Sequence, residues 1–114
     1  MSRAIFLMKF LKVELGSSQL PQVIKFSIGC ATQDKITKVI QSYNYLNNEI
    51  IGAFREDNLI GIIGLLESVN RITIRHISII PEFRRKNIGN SLLHYIKNHY
   101  NEDEISVETD EESV

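Results

Sequence analysis

Residues 76–93 read HISIIPEFRRKNIGNSLL, and the pattern of the chain changes twice within them. A β-branched run stops at Pro81, three consecutive cations follow at Arg84, Arg85 and Lys86, and apolar residues then recur at helical spacing from Ile88. Proline ends the run because it has no amide hydrogen to give to a ladder. The alternation before it predicts a strand from Arg71 to Ile80, with Ile74, His76, Ser78 and Ile80 on one face and Arg75, Ile77 and Ile79 on the other. Ile88, Leu92, Leu93, Ile96 and Tyr100 predict an amphipathic helix with one face on a sheet.

A strand, a basic loop and a helix start in succession make an anion site. The first turn of a helix carries backbone NH groups with no helical partner, and its dipole adds partial positive charge there. The three cations add full charge, while Asn87 and Gly89 are residue types that let a loop backbone curl towards a ligand. Taken singly, the cations read as solvated surface and Gly89 as a packing residue. Their coincidence in one turn favours phosphate. The loop is neither a Walker loop, which ends in Gly-Lys-Ser/Thr, nor the dinucleotide fingerprint, whose glycines are placed differently.

Towards the N-terminus, Glu49 to Arg55 and Leu59 to Glu67 read as a hairpin turned by Glu56-Asp57-Asn58. Gly61 and Gly64 inside the second strand predict a bulge, a close approach, or tight packing against a helix. Thr32 caps a helix carrying Asp34 in its first turn and Ile36, Val39, Ile40 and Tyr43 at helical spacing, ending across Asn44 to Asn48. Before it come a strand from Met8 to Leu15, turn and cap residues at Gly16-Ser17-Ser18, and a helix to about Ile28 with Pro21 in its first turn. After the long helix, Glu104 to Glu108 alternates as a short final strand. The order is mixed α/β in a single domain, residues 1–114.

Of the 114 residues, 43% are hydrophobic and 24% charged, which suits one folded domain rather than a disordered chain. The formal charge of −1 hides an asymmetry: residues 101–114 hold seven carboxylates, and the first 100 hold 13 basic against seven acidic side chains. That basic majority favours an anionic ligand. The lone Cys30 offers no internal disulfide, reads as a small buried hydrophobe, and points to a reducing, cytoplasmic setting. No segment has the length or polarity of a membrane span or a signal peptide. His94 and His99, five apart on the helix, lack the one-face spacing of a metal pair and read as surface residues.

With these residues read, the chain resembles the GNAT superfamily of N-acetyltransferases. Its acetyl-CoA motif is Arg or Gln, two residues, Gly, one residue, then Gly or Ala, and Pro81 to Gly89 matches the usual context of that motif. Asn87 stands where the first motif glycine is expected. Asparagine visits left-handed backbone, so the turn is expected to survive with weakened or rearranged binding.

The resemblance implies a three-layer acyl-CoA N-acyltransferase-like fold with a mostly antiparallel central sheet. It implies acetyl-CoA as co-substrate, its pyrophosphate held by the backbone of Arg84, Arg85, Lys86, Asn87, Ile88 and Gly89, and its pantetheine paired with the strand edge at Ile77, Ser78 and Ile79. The reaction would be transfer of the acetyl group to a primary amine whose identity is open, with no metal. The motif transfers no base. His76, on the motif strand, and Glu67, ending the preceding one, are the candidates, each with a plain structural alternative.

Thr109-Asp110-Glu111-Glu112 fits a capping box, yet only two residues follow it, too few for a helix. The resemblance reads this run as the entry to the family's fourth main helix, so the domain looks truncated after the fifth strand, or a homodimer completes the sheet. A disordered acidic tail is the third reading. Two rival functions follow: a non-catalytic CoA-binding or assembly module, and a nucleic-acid-binding basic domain, which lacks an aromatic platform or a reading helix.

Overall fold

The computed structural model describes residues 8–45, 47–69 and 71–100, together with the backbone of residues 104–107. The acidic segment after residue 107, with its capping box, lies outside the described residues.

The elements follow the order strand, two helices, three strands, helix, strand. They are β1 (Met8–Lys12), α1 (Leu20–Ile24), α2 (Gln33–Gln41), β2 (Asn48–Arg55), β3 (Asn58–Ser68), β4 (Arg71–Ile79), α3 (Ile88–His99) and β5 (Glu104–Val107). The sheet runs β1-β2-β3-β4-β5. The pairs up to β4 are antiparallel, and β5 joins β4 in parallel, the direction that the α3 crossover requires.

Helices cover both faces of the sheet, making three layers. Ile88, Leu92 and Ile96 of α3 are buried against Ile51, Ala53, Ile63, Leu65, Ile72 and Ile74. On the opposite face, Leu20, Val23 and Ile24 of α1 and Ile36 of α2 close over Val13, Ile50, Leu59 and Ile62. The helical periodicity read from the sequence is therefore the burial pattern of α2 and α3.

Thr32 caps α2 as expected, its side-chain oxygen accepting from the Lys35 amide at 3.2 Å, and Asp34 pairs with Lys38 one turn on at 3.4 Å. Thr32→Ala should lower stability by about 1 kcal/mol, measured as a shift in the denaturant midpoint at unchanged slope. Pro21 lies in the first turn of α1, but the serines before it do not cap that helix. Gln19 stands there instead and braces the β2–β3 hairpin: its amide donates to the Asp57 carbonyl at 3.0 Å, and its oxygen accepts from the Leu59 amide at 2.9 Å.

Several expected boundaries move. Strand β1 stops at Lys12 rather than Leu15, because the Glu14 carbonyl is drawn into a turn by the Ser17 amide. The hairpin turn is tighter than read: Asn58 pairs with Arg55, leaving Glu56, at φ 57°, and Asp57 to turn the chain. Cys30 is exposed rather than buried, in the connection before α2, where it adopts φ 50°.

The largest correction concerns faces. Ile74 packs into the α3-side core with Ile72, and Ile77 and Ile79 lean on the same core, whereas His76 and Ser78 face α1 and α2. Simple alternation put Ile74 with His76. A bulge is the reason: Gly64 pairs with His76 but Leu65 pairs with Ile74, so Arg75 is an extra residue and the strand changes face across it. A second register shift, between Ala53 and Phe54, leaves Ile60 extra beside Gly61. Both glycines of β3 thus sit at bulges. Gly64 is also a close approach, since a Cβ there would fall on the Tyr43 hydroxyl.

Candidate functional site

The C-terminal half of β4 leads directly into the basic loop. Beyond Ile80 the chain makes a single 3₁₀ turn, Pro81–Phe83, closed by the Phe83 amide donating to the Ile80 carbonyl at 2.9 Å. Arg85 then adopts φ 63° and Asn87 φ 66°, both in the left-handed region. Two such residues, with Lys86 between them, curl the backbone sharply before the helix. An asparagine bears this conformation better than most residues, so the turn that the motif needs is present without its glycine.

Asn87 is also the residue before α3, and its side chain does not cap the helix. Its Oδ1 accepts from Asn90 Nδ2 at 2.6 Å, which draws it along the helix instead of over the exposed amides. The first amide of the turn to find a helical acceptor is that of Ser91, which donates to the Asn87 carbonyl at 3.1 Å. The amides of Ile88, Gly89 and Asn90 precede it, at the positive end of the dipole. A Cβ built on Gly89 meets nothing within 4 Å among the described residues. Its packing reading therefore falls away, and no described residue stands against Gly89 in the first turn of α3.

The cations are not equivalent. Arg84 turns back: its Nε donates to the Ile79 carbonyl at 3.0 Å, and its guanidinium lies 5.5 Å from the centre of the Phe26 ring. It braces the end of β4. Arg85 and Lys86 are exposed at the turn itself. Ile88 alone in this segment is buried, in the core beneath α3, and anchors the helix start to the sheet.

Strand β4 has one edge paired with β3 throughout. On its other edge, β5 pairs from Arg71 opposite Glu104 to Ile74 opposite Val107, and beyond Ile74 no described strand continues that pairing. Ile77 to Ile79 therefore face no described strand on this edge, just ahead of the basic loop, and at its far end the Ile79 carbonyl accepts from Arg84. Ser78 does not offer its side chain there, since its hydroxyl donates to the Val23 carbonyl at 2.5 Å and ties α1 to β4.

The two base candidates are apart on the ladder. His76 lies opposite Gly64, and Glu67 lies opposite Ile72. His76 is half-buried, with Nδ1 2.5 Å from the Tyr43 hydroxyl. Glu67, also half-buried, is tied through its amide to the Asn47 carbonyl at 2.8 Å, and with Ser42, Tyr45, Asn48 and Arg75 it lines a cleft of about 520 Å³ beside the bulge. Its carboxylate also acts on Tyr100, whose hydroxyl donates to Glu49 Oε1 at 2.6 Å. Burial, the Glu49 hydrogen bond and the two carboxylates together push that hydroxyl well above the ordinary tyrosine range. His94 and His99 are surface residues, the latter stacked on Tyr95.

Sequence reasoning missed Tyr43 as a neighbour of the strand that carries the motif. Its place in the helical stripe marked it as core, and only the chain turn after α2 brings its hydroxyl across β3 to His76. No described helix is long and apolar enough to cross a membrane.

The family model for the Acetyltransferase (GNAT) domain matches residues 21–114. Among solved structures, a possible acetyltransferase from Clostridium difficile 630 aligns with a TM-score of 0.74 at 18% identity, over 95% of this chain and 83% of that one. The aminoglycoside N-acetyltransferase AAC(6')-Iy, in complex with CoA, aligns with a TM-score of 0.74 at 13% identity, over 98% and 83%. The PaiA N-acetyltransferase of Thermoplasma acidophilum, in complex with coenzyme A, aligns with a TM-score of 0.61 at 22% identity, over 80% and 70%. At these identities the likeness is one of fold. No curated protein sequence matches the chain.

Proposed function

Since this chain belongs to the GNAT acetyltransferase family, we propose that it binds acetyl-CoA along β4 and at the start of α3 and transfers the acetyl group to a primary amine. One observation carries the reading: a strand edge with no described partner strand runs into a doubly left-handed basic turn and a helix start whose first amides have no partner among the described residues. The CoA present in two structures of the same fold supports it.

In this reading the backbone from Arg84 to Gly89 holds the pyrophosphate, and Arg85 and Lys86 supply the charge. Ile77 to Ile79 pair with the pantetheine amides as another strand would. A neutral amine attacks the thioester carbonyl, the C–N bond forms, and the C–S bond breaks with the sulfur leaving as thiolate. The proton shed by the nitrogen is balanced by protonation of that thiolate to the free thiol. Backbone amides of β4 stabilise the charge that develops on the carbonyl oxygen. Cys30, without an internal partner in the chain, supports a cytoplasmic setting.

Calorimetry with acetyl-CoA, set beside thiol release with a panel of amines, tests the proposal. Micromolar binding with turnover of at least one amine is expected. Binding without transfer would leave a CoA-binding module, and salt-dependent nucleic-acid binding without CoA affinity would overturn both.

Arg84 provides a graded test. Its side chain braces the Ile79 carbonyl at the end of the proposed pantetheine edge, so Arg84→Ala should weaken acetyl-CoA by about tenfold, through loss of that brace and of one positive charge beside the pyrophosphate site. Calorimetry at fixed ionic strength reads this directly. A Lys at the same position recovers the charge but not the geometry, and should restore less than half of the lost binding energy.

A further inference from the structure

Tyr43 clamps two strands at one rung. Its buried ring lies over Gly64, and its hydroxyl meets Nδ1 of His76, the partner of Gly64 in the ladder. The two rings meet edge-on with centroids 5.7 Å apart. This rung is the last before the bulge that leaves Arg75 extra, so the contact sits where β4 changes face and begins its open-edged half.

The hydrogen bond has a direction. A buried O–H without an acceptor costs about 1–3 kcal/mol, and a tyrosine hydroxyl has one hydrogen to place. Among the described residues, His76 Nδ1 is the acceptor within reach of this hydroxyl. Burial raises the Tyr43 hydroxyl far above its ordinary value, against a smaller lowering by Arg75, so the hydrogen stays on it. An uncharged imidazole that accepts at Nδ1 carries its own hydrogen at Nε2.

We infer that Tyr43 locks His76 in the Nε2–H tautomer, and that His76 is a positioning residue pinning the β4 bulge, not the base that deprotonates the acceptor amine. The tautomer stands on this hydrogen bond and on the need of the buried Tyr43 O–H for an acceptor, not on the proposed function. The positioning role rests on the proposed function, in which the half of β4 beyond this rung is the acetyl-CoA edge.

Two measurements on the full chain test it. Long-range ¹H–¹⁵N imidazole spectra at neutral pH should show His76 unprotonated at Nδ1 and protonated at Nε2, and Tyr43→Phe should release the ring to exchange between tautomers. An Nδ1–H signal in the parent protein, or one unmoved by Tyr43→Phe, overturns the lock. For the role, His76→Asn places an amide oxygen where Nδ1 was, and His76→Gln places its amide near Nε2. Positioning predicts that His76→Asn keeps acetyl-CoA affinity and transfer rate within about threefold, while Tyr43→Phe and His76→Gln raise the acetyl-CoA Kd by about tenfold with a smaller change in kcat. A base predicts the reverse for His76→Asn: normal acetyl-CoA binding with transfer reduced by about 100-fold or more. That result overturns the role. If the parent protein transfers acetyl to no amine, the functional reading fails, and the spectra and acetyl-CoA affinities still decide the lock and the clamp separately.

Discussion

Gly89→Glu weakens acetyl-CoA binding by about 100-fold, or roughly 2.7 kcal/mol, while the melting temperature holds or rises. The two halves of this expectation come from the same position. A Cβ at residue 89 meets nothing within 4 Å among the described residues, so the larger side chain is accommodated. A carboxylate in the first turn of α3 also favours the helix by about 0.3–1 kcal/mol, because it faces the positive end of the dipole. The same carboxylate competes for the amides of Ile88, Gly89 and Asn90 and sets a negative charge beside the pyrophosphate. Two unit charges about 5 Å apart near a surface repel by roughly 1–3 kcal/mol. Gly89→Gln supplies the size without the charge and should lose about tenfold at most. Calorimetry and thermal melts on both variants give the answer: an unchanged acetyl-CoA affinity in Gly89→Glu removes the site from the start of α3.

The second large effect is on stability. Leu92→Ala should cost about 2–5 kcal/mol, because Leu92 is wholly buried between α3 and the sheet and leaves a cavity that its branched neighbours cannot fill. Against a total of about 5–15 kcal/mol for a domain of this kind, that is a large fraction. The melting temperature should fall by at least about 10 °C. Leu93, half-buried at the flank of the same core, should cost less than half as much when cut to alanine. Equal losses at the two positions would mean that α3 does not seat on the sheet through the stripe Ile88, Leu92 and Ile96. The effect also reaches the site, since the helix whose first turn opens beside the basic loop is held by this stripe.

Most of the architecture was legible because short-range physics writes it into residue order. The stripe of α3, the Thr32 cap, the β2–β3 hairpin and the stop at Pro81 each depend on neighbours a few residues away. The basic loop was legible for the same reason: three cations, an asparagine able to turn left-handed, and a helix start lie within six residues, Arg84 to Gly89.

What misled the reading was long-range. Alternation placed Ile74 with His76, and the bulge at Arg75 put them on opposite faces, because the register of β4 answers to Gly64 on β3 and not to its own pattern. The serines before α1 looked like caps, yet Gln19 holds that corner through the hairpin turn far along the chain. Arg84 was legible only as a charge, and the fold also gives its side chain the Ile79 carbonyl to brace.

The chain's own order of residues was enough to determine the mixed α/β class and the helix that opens after the basic turn, and it made an anion the ligand to expect there, since periodicity, caps and charge act over a few residues. Tertiary structure alone decided where the described partner of β4 stops along its edge, which cation braces the strand end, and that a core tyrosine and a strand histidine share a hydrogen bond. Those outcomes depend on strand register and on a helix end folding back across the sheet, where a shift of one residue reverses the face of every side chain.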